Sequence, residues 1–409
     1  MGGVLDGIRV IEFAALGGGP MAGVILTEFG ADVIKIENPV GGDRTRDPNR
    51  WLPGGVRTAF PEGHSVVFEL SNRNKRGITA DFSKKEGREI AHRLIEKSDA
   101  FFSNYSPSTL KRFELDYETL SKLNPRLVYV TSHSYGKYGP DADKNSGDGL
   151  ALARSGMLAS AVAELDGTPG REITGFIADN LGGTFFGFAV ILGLLARERL
   201  GIGQEIDTSL FGPMIWAQYP NIALYFMDGR TLLREGGDPR SAATGGFGKN
   251  FKCKDGRWLK VGLRDWHESC RMLGVESLEK DPMFEDPKKR QANSQELTEI
   301  LEKTLASKTR EEWVERFRTQ TEGLTYELVN RIIDLPDDPQ VVANNYIVDY
   351  DHPGLGPIKM LKFPFNMSKT PGVPNRRPAP KLGEHNQEIL QEFGYSLEEI
   401  AQLKKDKVI

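Results

Sequence analysis

The sequence predicts an α/β protein built on parallel strands, followed along the chain by a smaller α+β region. Two observations point to this fold class. Short apolar runs that suit buried strands alternate with helical patterns, and the first run leads through a glycine turn into a helix. A strand, a helix and a second strand in this order form a βαβ unit, whose two strands are parallel.

The first βαβ unit begins with the apolar run IRVIEF at residues 8–13. Three glycines at 17–19 follow it. Pro20 suits the first turn of a helix, where its missing N–H costs nothing, and the helical pattern continues for nine more residues. A glycine ends that helix, and ADVIKIE at residues 31–37 is predicted to form the second strand.

The alternation continues along the chain. Apolar runs predict further strands at 77–82, 100–104, 127–132 and 205–208. Helical patterns predict helices at 84–97, directly after Asp179 to about residue 200, and from the last strand to Tyr225.

The character of the sequence changes near residue 228, where a glycine-rich segment begins. Residues 251–254 and 258–262 flank an Asp-Gly turn and predict a β-hairpin, and charged helical patterns cover 294–318. We therefore predict a large domain that begins with residues 1–227, a small α+β domain at 228–335, and a C-terminal part at 336–409 that returns to the large domain.

Composition argues against several classes of protein. The net charge of −4 gives no extended basic face for nucleic acid. Cys253 and Cys270 are the two cysteines, and their wide separation argues against a disulfide scaffold and a structural zinc site. The most apolar window, residues 181–196, is shorter than the ~20 residues of a membrane span, and no secretory signal pattern is present. We expect a cytoplasmic protein without metal, nucleic-acid or membrane partners.

The turn formed by Gly17, Gly18 and Gly19 lies between a predicted strand and a helix N-terminus. Backbone N–H groups at such a turn can bind an anion or a developing oxyanion. A tight turn that allows close packing of helix and strand explains the same glycines, and the spacing alone favours that explanation.

Two cationic loops are candidates for phosphate binding. Residues 72–76 (NRNKR) precede a predicted strand, and residues 104–112 (NYSPSTLKR) follow one. Arg and Lys supply charge and several donors for phosphate, and open α/β sheets bind ligands at the carboxyl ends of their strands. Solvated surface loops explain such runs equally well.

Asp179 stands directly before the apolar helix, in the sequence IADNLGG. The simplest interpretation is an N-cap, which accepts a hydrogen bond from the start of the helix. The same position would keep a nucleophilic carboxylate ionised, because a helix N-terminus favours negative charge. Gly182 and Gly183 would then let a substrate approach closely.

Several motifs in order resemble a known family. They are IRVIEFAALGGGPMAGVILTEFGADVIKIENPVGGDRTR, LSNRNKRGITADF, SNYSPSTLKRF, SHSYGKYGPDA, ITGFIADNLGGTFFGFAVILGLLARERLGIGQEIDTSL and PAPKLGEHNQEIL. Together they resemble the family III CoA-transferases, the family of formyl-CoA and carnitine CoA-transferases. The resemblance covers nearly the whole chain and is loosest at 265–335.

This resemblance implies a doubly wound, Rossmann-like large domain, a smaller domain and two chains interlocked like linked rings. It also implies that Asp179 is the catalytic carboxylate, acylated by an acyl-CoA before CoA passes to a carboxylic acid. Coenzyme A is then a cosubstrate, and no cofactor is bound permanently. The CoA contacts that the resemblance implies are Leu16, Asn38, Asn72, Asn74, Lys75, Asn104, Tyr105, Arg112 and Phe113. Gly245, Gly246 and Gly248 resemble the family's mobile glycine loop over the active site.

The chain departs from the formyl-CoA branch in its first loop. That branch has His and Gln where this chain has Ala15 and Gly17, and an arginine where this chain has Asn38. Backbone N–H groups of the glycines are therefore the candidate oxyanion donors. Other stretches resemble the branch that acts on 2-hydroxy, aryl or substituted dicarboxylic acids.

Two other functions fit parts of the sequence. The α-methylacyl-CoA racemases share the Asp but place a His immediately before an earlier Asp, and this chain has Gly147 before Asp148. A CoA-binding subunit without catalytic activity, paired with a paralogous partner, is the second alternative. The assembly is accordingly expected to be a homodimer or a heteromer.

Overall fold

The structure is a computed structural model that describes residues 2–47, 65–158, 175–229, 247–318 and 324–409. The described residues form two compact units. The first contains residues 2–47, 65–158, 175–229 and 345–409, and the second contains residues 247–318 and 324–344.

The described strands are, in chain order, β1 (Arg9–Phe13), β2 (Asp32–Glu37), β3 (Arg76–Thr79), β4 (Ala100–Ser103), β5 (Val128–His133), β6 (Gln204–Ser209), β7 (Lys249–Lys252), β8 (Trp258–Leu263), β9 (Leu324–Leu328), β10 (Ile347–His352) and β11 (Gly356–Leu361). The described helices are α1 (Gly18–Glu28), α2 (Val66–Asn72), α3 (Lys85–Glu96), α4 (Pro107–Arg112), α5 (Tyr117–Leu123), α6 (Asp148–Arg154), α7 (Ile177–Leu200), α8 (Phe211–Trp216), α9 (Tyr219–Asp228), α10 (Trp266–Leu273), α11 (Pro287–Ala292), α12 (Ser294–Leu305), α13 (Arg310–Arg318), α14 (Pro339–Ala343), α15 (Asn386–Glu392) and α16 (Leu397–Lys405).

The first unit is organised around a six-stranded sheet in the order β3-β2-β1-β4-β5-β6. Every neighbouring pair in this sheet is parallel. The strand order reverses between β1 and β4, so the loops after these two strands diverge and leave a crevice at their carboxyl ends. Such a switch point is where open α/β sheets bind ligands. The predicted α/β class with parallel strands is confirmed.

Alternation of side chains along the strands gives the sheet two apolar faces. Val10 and Phe102 belong to a core with residues of α1 and α7 on one face. Ile11 and Phe101 belong to a core with residues of α3, α5, α15 and α16 on the other face. Helices therefore cover both sides of the sheet.

Helix α7 is the longest described helix, and its composition is apolar. It is the one described helix whose length and mean hydropathy would suit a membrane span, and half of its most apolar stretch is buried. Phe186 and Val190 pack into the core between α1 and the sheet. Burial against the sheet thus accounts for these apolar residues.

The glycines near the start of α7 allow helices to approach closely. A Cβ on Gly183 would lie 2.6 Å from the backbone oxygen of Gly18, at the start of α1. A Cβ on Gly182 would lie 2.9 Å from a methyl carbon of Leu210. The expectation that these two glycines make room for substrate is therefore wrong: they make room for the neighbouring elements.

The second unit contains the antiparallel sheet β7-β8-β9 and a helical layer. The predicted hairpin is confirmed, with Lys252 opposite Trp258. Its core includes Phe251, Leu301 and Trp313 as well as both cysteines. Both thiols are free, and burial raises their pKa, to about 11 for Cys253 and to about 12 for Cys270.

A pair of glycines one turn apart tests the packing of α1 against α7. Gly183→Ala should lower the free energy of unfolding by about 1–3 kcal/mol, because its Cβ would collide with the backbone of α1. Gly187→Ala is the matched control, since its Cβ would meet Ala22 at 3.6 Å, an ordinary contact. The control should be neutral or more stable by up to ~1 kcal/mol, because alanine favours helix. Equal effects in urea unfolding would contradict the close approach at Gly183.

Candidate active site

Asp179 lies inside the first turn of α7 and does not cap it. The helix begins at Ile177, with Phe176 at the N-cap position in a left-handed conformation (φ 55°). The backbone N–H of Asp179 donates to Oδ1 of Asp148 at 2.9 Å. Asp148, the first residue of α6, thus supplies the acceptor that an N-cap would supply. The interpretation of Asp179 as the N-cap is wrong, because the N-cap position is Phe176 and the helix therefore starts three residues earlier than its sequence pattern indicates.

The carboxylate of Asp179 points at the glycine turn after β1. Its Oδ1 accepts a hydrogen bond from the backbone N–H of Gly18 at 3.3 Å. A Cβ on Gly17 would lie 2.5 Å from Oδ2 of Asp179, so a larger residue would displace the carboxylate. The glycine turn is therefore needed for the close approach of Asp179 and not only for packing.

The environment of Asp179 favours the neutral acid. Burial, together with the charge of Asp148, raises its pKa to about 6, although the hydrogen bond from the Gly18 N–H acts in the opposite direction. A carboxylate in this state is ionised at neutral pH but poorly solvated. Poor solvation makes an anion a better nucleophile, provided that its geometry allows attack.

A cleft of about 320 Å³ opens at the carboxyl ends of β1 to β4. Four of the predicted CoA contacts line it together: Asn38, Tyr105, Arg112 and Phe113. The ring of Tyr105 stacks on Phe13 with a centroid distance of 4.2 Å, and the guanidinium of Arg112 lies 4.7 Å from the centre of the Phe113 ring. Aromatic faces beside an Arg side chain suit a ligand that carries both a flat ring and anionic groups.

Leu16 and Asn104 lie on the two loops that meet at the switch point. The Asn104 amide holds Ala15 from both sides: its Oδ1 accepts from the Ala15 N–H at 3.0 Å, and its Nδ2 donates to the Ala15 oxygen at 2.8 Å. Leu16 has a positive φ of 69°. Asn104 therefore binds the protein's own loop in this structure.

The cationic run before β3 is buried, so its interpretation as a solvated loop is wrong. Asn72 and Lys75 are both 0% exposed. The Lys75 ammonium lies 2.7 Å from Oε2 of Glu12 and donates to Oδ1 of Asn72 at 3.0 Å. The Asn74 side chain accepts from the backbone N–H groups of Arg376 and Arg377.

These contacts contradict a phosphate cradle formed by the side chains of Asn72, Asn74 and Lys75. Their polar groups are committed to partners inside the protein, and one of those partners is a C-terminal segment some 300 residues away. Charge and spacing within NRNKR could not show this burial, because the covering residues are so distant in sequence.

The glycine loop of the second unit is only partly within the described residues. Gly248 has a φ of 82°, and its N–H donates to the Val261 oxygen at 2.7 Å. Gly245 and Gly246 lie outside the described residues. A role of this loop over Asp179 stays a prediction. Within the described residues, no group of three or more His, Cys, Asp and Glu side chains is arranged to hold a metal ion.

Sequence reasoning missed two residues of the site. Asp148 enters the sequence analysis only through the comparison with racemases, and its contact with the backbone of Asp179, 31 residues later, has no local sequence signal. Asp43 accepts from the backbone N–H of Leu16 at 3.2 Å, and nothing in its local sequence distinguishes it from an ordinary turn residue.

The fold and the site together define an α/β protein with a cleft at the carboxyl ends of its parallel strands and a carboxyl group of raised pKa at the same sheet edge. The sequence model described as CoA-transferase family III matches residues 5–386. The chain belongs to this family and is a CoA-transferase.

Known proteins resemble the chain along nearly its whole length. An acyl-CoA transferase of Fusarium pseudograminearum is 34% identical over 100% of this chain and 88% of that protein. The succinyl-CoA–L-malate CoA-transferase beta subunit of Chloroflexus aurantiacus is 33% identical over 99% of this chain and 98% of that protein. The solved structure of a CAIB/BAIF family protein from Brucella suis aligns with a TM-score of 0.82 and 30% identity, covering 96% of this chain and 100% of that one.

The raised pKa of Asp179 predicts a stability effect with a definite sign. The folded state holds the Asp179 proton more tightly than the unfolded state, so the ionised carboxylate costs folding free energy above about pH 6. Asp179→Asn should therefore increase the free energy of unfolding at pH 7.5 by about 1–2 kcal/mol. Most of this increase should be lost near pH 4, where the carboxyl group is protonated in the folded state but still partly ionised in the unfolded state. Urea unfolding at both pH values measures this, and a loss of stability at pH 7.5 would contradict it.

Proposed function

We propose that the protein moves coenzyme A from an acyl-CoA donor to a carboxylic acid through a covalent thioester on Asp179. The observation that carries this proposal is the half-buried Asp179 carboxylate, held 3.3 Å from the Gly18 N–H with its pKa raised to about 6. A backbone donor at this oxygen suits acyl transfer, since the oxygen gains negative charge when the carboxyl carbon is attacked.

The first half of the proposed reaction loads the enzyme. An oxygen of Asp179 attacks the thioester carbonyl of the donor, the carbon–sulfur bond breaks, and CoA leaves as its thiolate, giving a mixed anhydride. The thiolate then attacks the Asp179 carboxyl carbon, and the donor acid leaves as its carboxylate. Covalent catalysis in this form splits one difficult exchange into easier steps.

The second half returns CoA to a new acid. The acceptor carboxylate attacks the aspartyl thioester, which expels the thiolate and forms a second anhydride. The thiolate attacks the acceptor's carbonyl carbon, and Asp179 is released as a carboxylate. No net proton is consumed, and the Gly18 N–H can stabilise the oxyanion at the two tetrahedral stages that are centred on the Asp179 carboxyl carbon.

The cleft of about 320 Å³ is the proposed site for the CoA nucleotide. Tyr105 and Phe113 offer aromatic surface, Arg112 offers charge, and Asn38 replaces the arginine of the formyl-CoA branch. The loop that carries Leu16 lies between this cleft and Asp179. The thioester carbon of a CoA derivative bound in the cleft would have to reach Asp179.

The proposed acceptor is a 2-hydroxy, aryl or substituted dicarboxylic acid. Support comes from the relative in Chloroflexus aurantiacus, whose name specifies malate, a 2-hydroxy dicarboxylic acid. A thioester-exchange assay over a panel of such acids identifies the acceptor.

The proposed assembly is an interlocked homodimer, or a heteromer with a paralogous chain. Large apolar side chains on α8 and α9 are exposed in the single chain, including Trp216, Tyr219, Phe226 and Met227. Exposed apolar surface of this extent is typical of an interface. The Chloroflexus relative is named as a subunit, which favours testing for a second chain. Native mass spectrometry distinguishes one subunit mass from two.

A racemase is the alternative within the family. Asp148 accepts a hydrogen bond from the backbone N–H of Asp179, but Gly147 stands where a racemase has His, so this position lacks the imidazole of the racemase pair. Loss of α-deuterium from a labelled acyl-CoA without CoA exchange would favour this alternative.

Trapping of the covalent intermediate tests the proposal. Hydroxylamine or borohydride added with an acyl-CoA donor should inactivate the enzyme and modify the peptide that carries Asp179, because an anhydride or thioester reacts with both reagents. Peptide mass spectrometry should find no change on Asp148 or Asp207. Without donor, a resting carboxylate should not react. Normal exchange without donor-dependent trapping would exclude the aspartyl route.

Neighbouring cations on α4 test the proposed CoA cleft. Arg112→Ala should raise the KM for acyl-CoA about tenfold, more strongly at low salt, because charge contacts with phosphate are screened by salt. Lys111→Ala is the matched control, since Lys111 carries the same charge one residue away but does not line the cleft. Similar KM values for the two variants would place the CoA nucleotide elsewhere.

A further inference from the structure

The loop between β1 and α1 forms hydrogen bonds with three side chains, one on β2 and two in the segments that follow β2 and β4. The oxygen of Ala14 accepts from the Lys35 ammonium at 2.6 Å. Ala15 is bound on both its N–H and its oxygen by Asn104. The N–H of Leu16 donates to Asp43. Three consecutive residues are thus fixed through their backbones, immediately before the turn that contacts the candidate nucleophile.

The conformation at Leu16 requires such restraint. Its φ of 69° lies in the left-handed region, which costs a residue with a side chain about 1 kcal/mol or more. Without its partners the backbone would relax toward negative φ and redirect the next N–H groups. Gly18, two residues later, donates to Asp179 at 3.3 Å, so a small rotation at Leu16 would break that contact.

Behind the loop lies a buried network of four charged side chains. Oδ2 of Asp43 lies 3.1 Å from the ammonium of Lys35, which lies 3.1 Å from Oε1 of Glu12. The other oxygen of Glu12 lies 2.7 Å from Lys75, which donates to the oxygen of Pro20 at 2.8 Å. Side-chain exposure is 0% or 1% throughout. The network therefore binds the backbone on both sides of the glycine turn, at Ala14 and Leu16 before it and at Pro20 after it.

Stability alone does not explain this network. Burying charges costs desolvation, and apolar residues of similar volume often serve a core as well or better. What the charged side chains do, and apolar ones could not, is hold the backbone groups of Ala14, Leu16 and Pro20 by hydrogen bonds. We infer that Asp43 and Asn104 are positioning residues for the exchange reaction, an inference that rests on the proposed function. The two side chains hold Leu16 in its left-handed conformation, and this conformation directs the Gly18 N–H toward Asp179.

The test compares Asp43→Asn and Asn104→Ala with Asp32→Asn as a matched control. Asp32 is a partly buried carboxylate that forms ion pairs with Arg9 and Arg76, and it lies at the end of β2 that is remote from Asp43. The two loop variants should lower kcat about 10- to 100-fold while the KM for acyl-CoA changes less than about threefold. The control should lower the unfolding temperature and leave kcat unchanged.

A second comparison separates positioning from general destabilisation. In a Leu16→Gly background, Asp43→Asn should cost a smaller factor in kcat than in the wild-type background, because glycine adopts positive φ without a steric penalty. If Asp43→Asn does not fold, Asn104→Ala carries the test, since it leaves no unpaired buried charge. Equal losses in both Leu16 backgrounds, or loop variants that change only stability or only KM, would overturn the inference.

Trapping separates failure of this inference from failure of the proposed function. Wild-type enzyme that forms no adduct at Asp179 with donor and hydroxylamine would disprove the covalent route itself. If the wild-type enzyme is trapped and the loop variants are trapped at the same rate, only the positioning role is disproved. Slower trapping in the two loop variants, with normal trapping in the Asp32→Asn control, is the expected result.

Discussion

The close approach of α1 and α7 is the constraint on which the rest of the site depends. The first turn of α7 lies against the start of α1, and the contact tolerates no side chain at Gly17 or Gly183. Since α1 follows β1 directly, this contact brings Asp179 to the loop at the sheet's switch point. One steric requirement thus joins a helix from the middle of the chain to the first βαβ unit, 161 residues away.

Electrostatics at this contact act in two directions. The start of a helix and the Gly18 N–H favour an ionised Asp179, whereas burial and the charge of Asp148 disfavour it. Burial and the charge of Asp148 have the larger effect, and the pKa of Asp179 rises to about 6. The carboxylate is charged at neutral pH and lacks the solvation that would make it inert. The neighbouring buried network contains both positive and negative side chains, so it can restrain the loop without adding a large net charge beside Asp179.

Sequence patterns and the family resemblance predicted different parts of the molecule. Short apolar runs located β1, β2, β4 and β5 to within a residue or two, because strands buried on both faces need contiguous apolar side chains. The start of α7 was misplaced, because Asp148, 31 residues earlier, provides the acceptor that a local N-cap would have provided. The cleft residues Tyr105, Arg112 and Phe113 were named together through the resemblance, and the structure places them together.

The sequence by itself determined the class of fold, the strand–glycine turn–helix unit and the family to which the chain belongs. Those properties depend on local patterns and on ordered motifs, which a single sequence displays. Only the tertiary structure decided that Lys75 is an interior ion-pair partner and that Asn104 binds the Ala15 backbone. The same holds for Asp43, which supports the loop beside Asp179. Burial and hydrogen bonding join residues that are distant in sequence, and charge or amide character alone does not reveal whether a side chain faces solvent, ligand or the protein's own backbone.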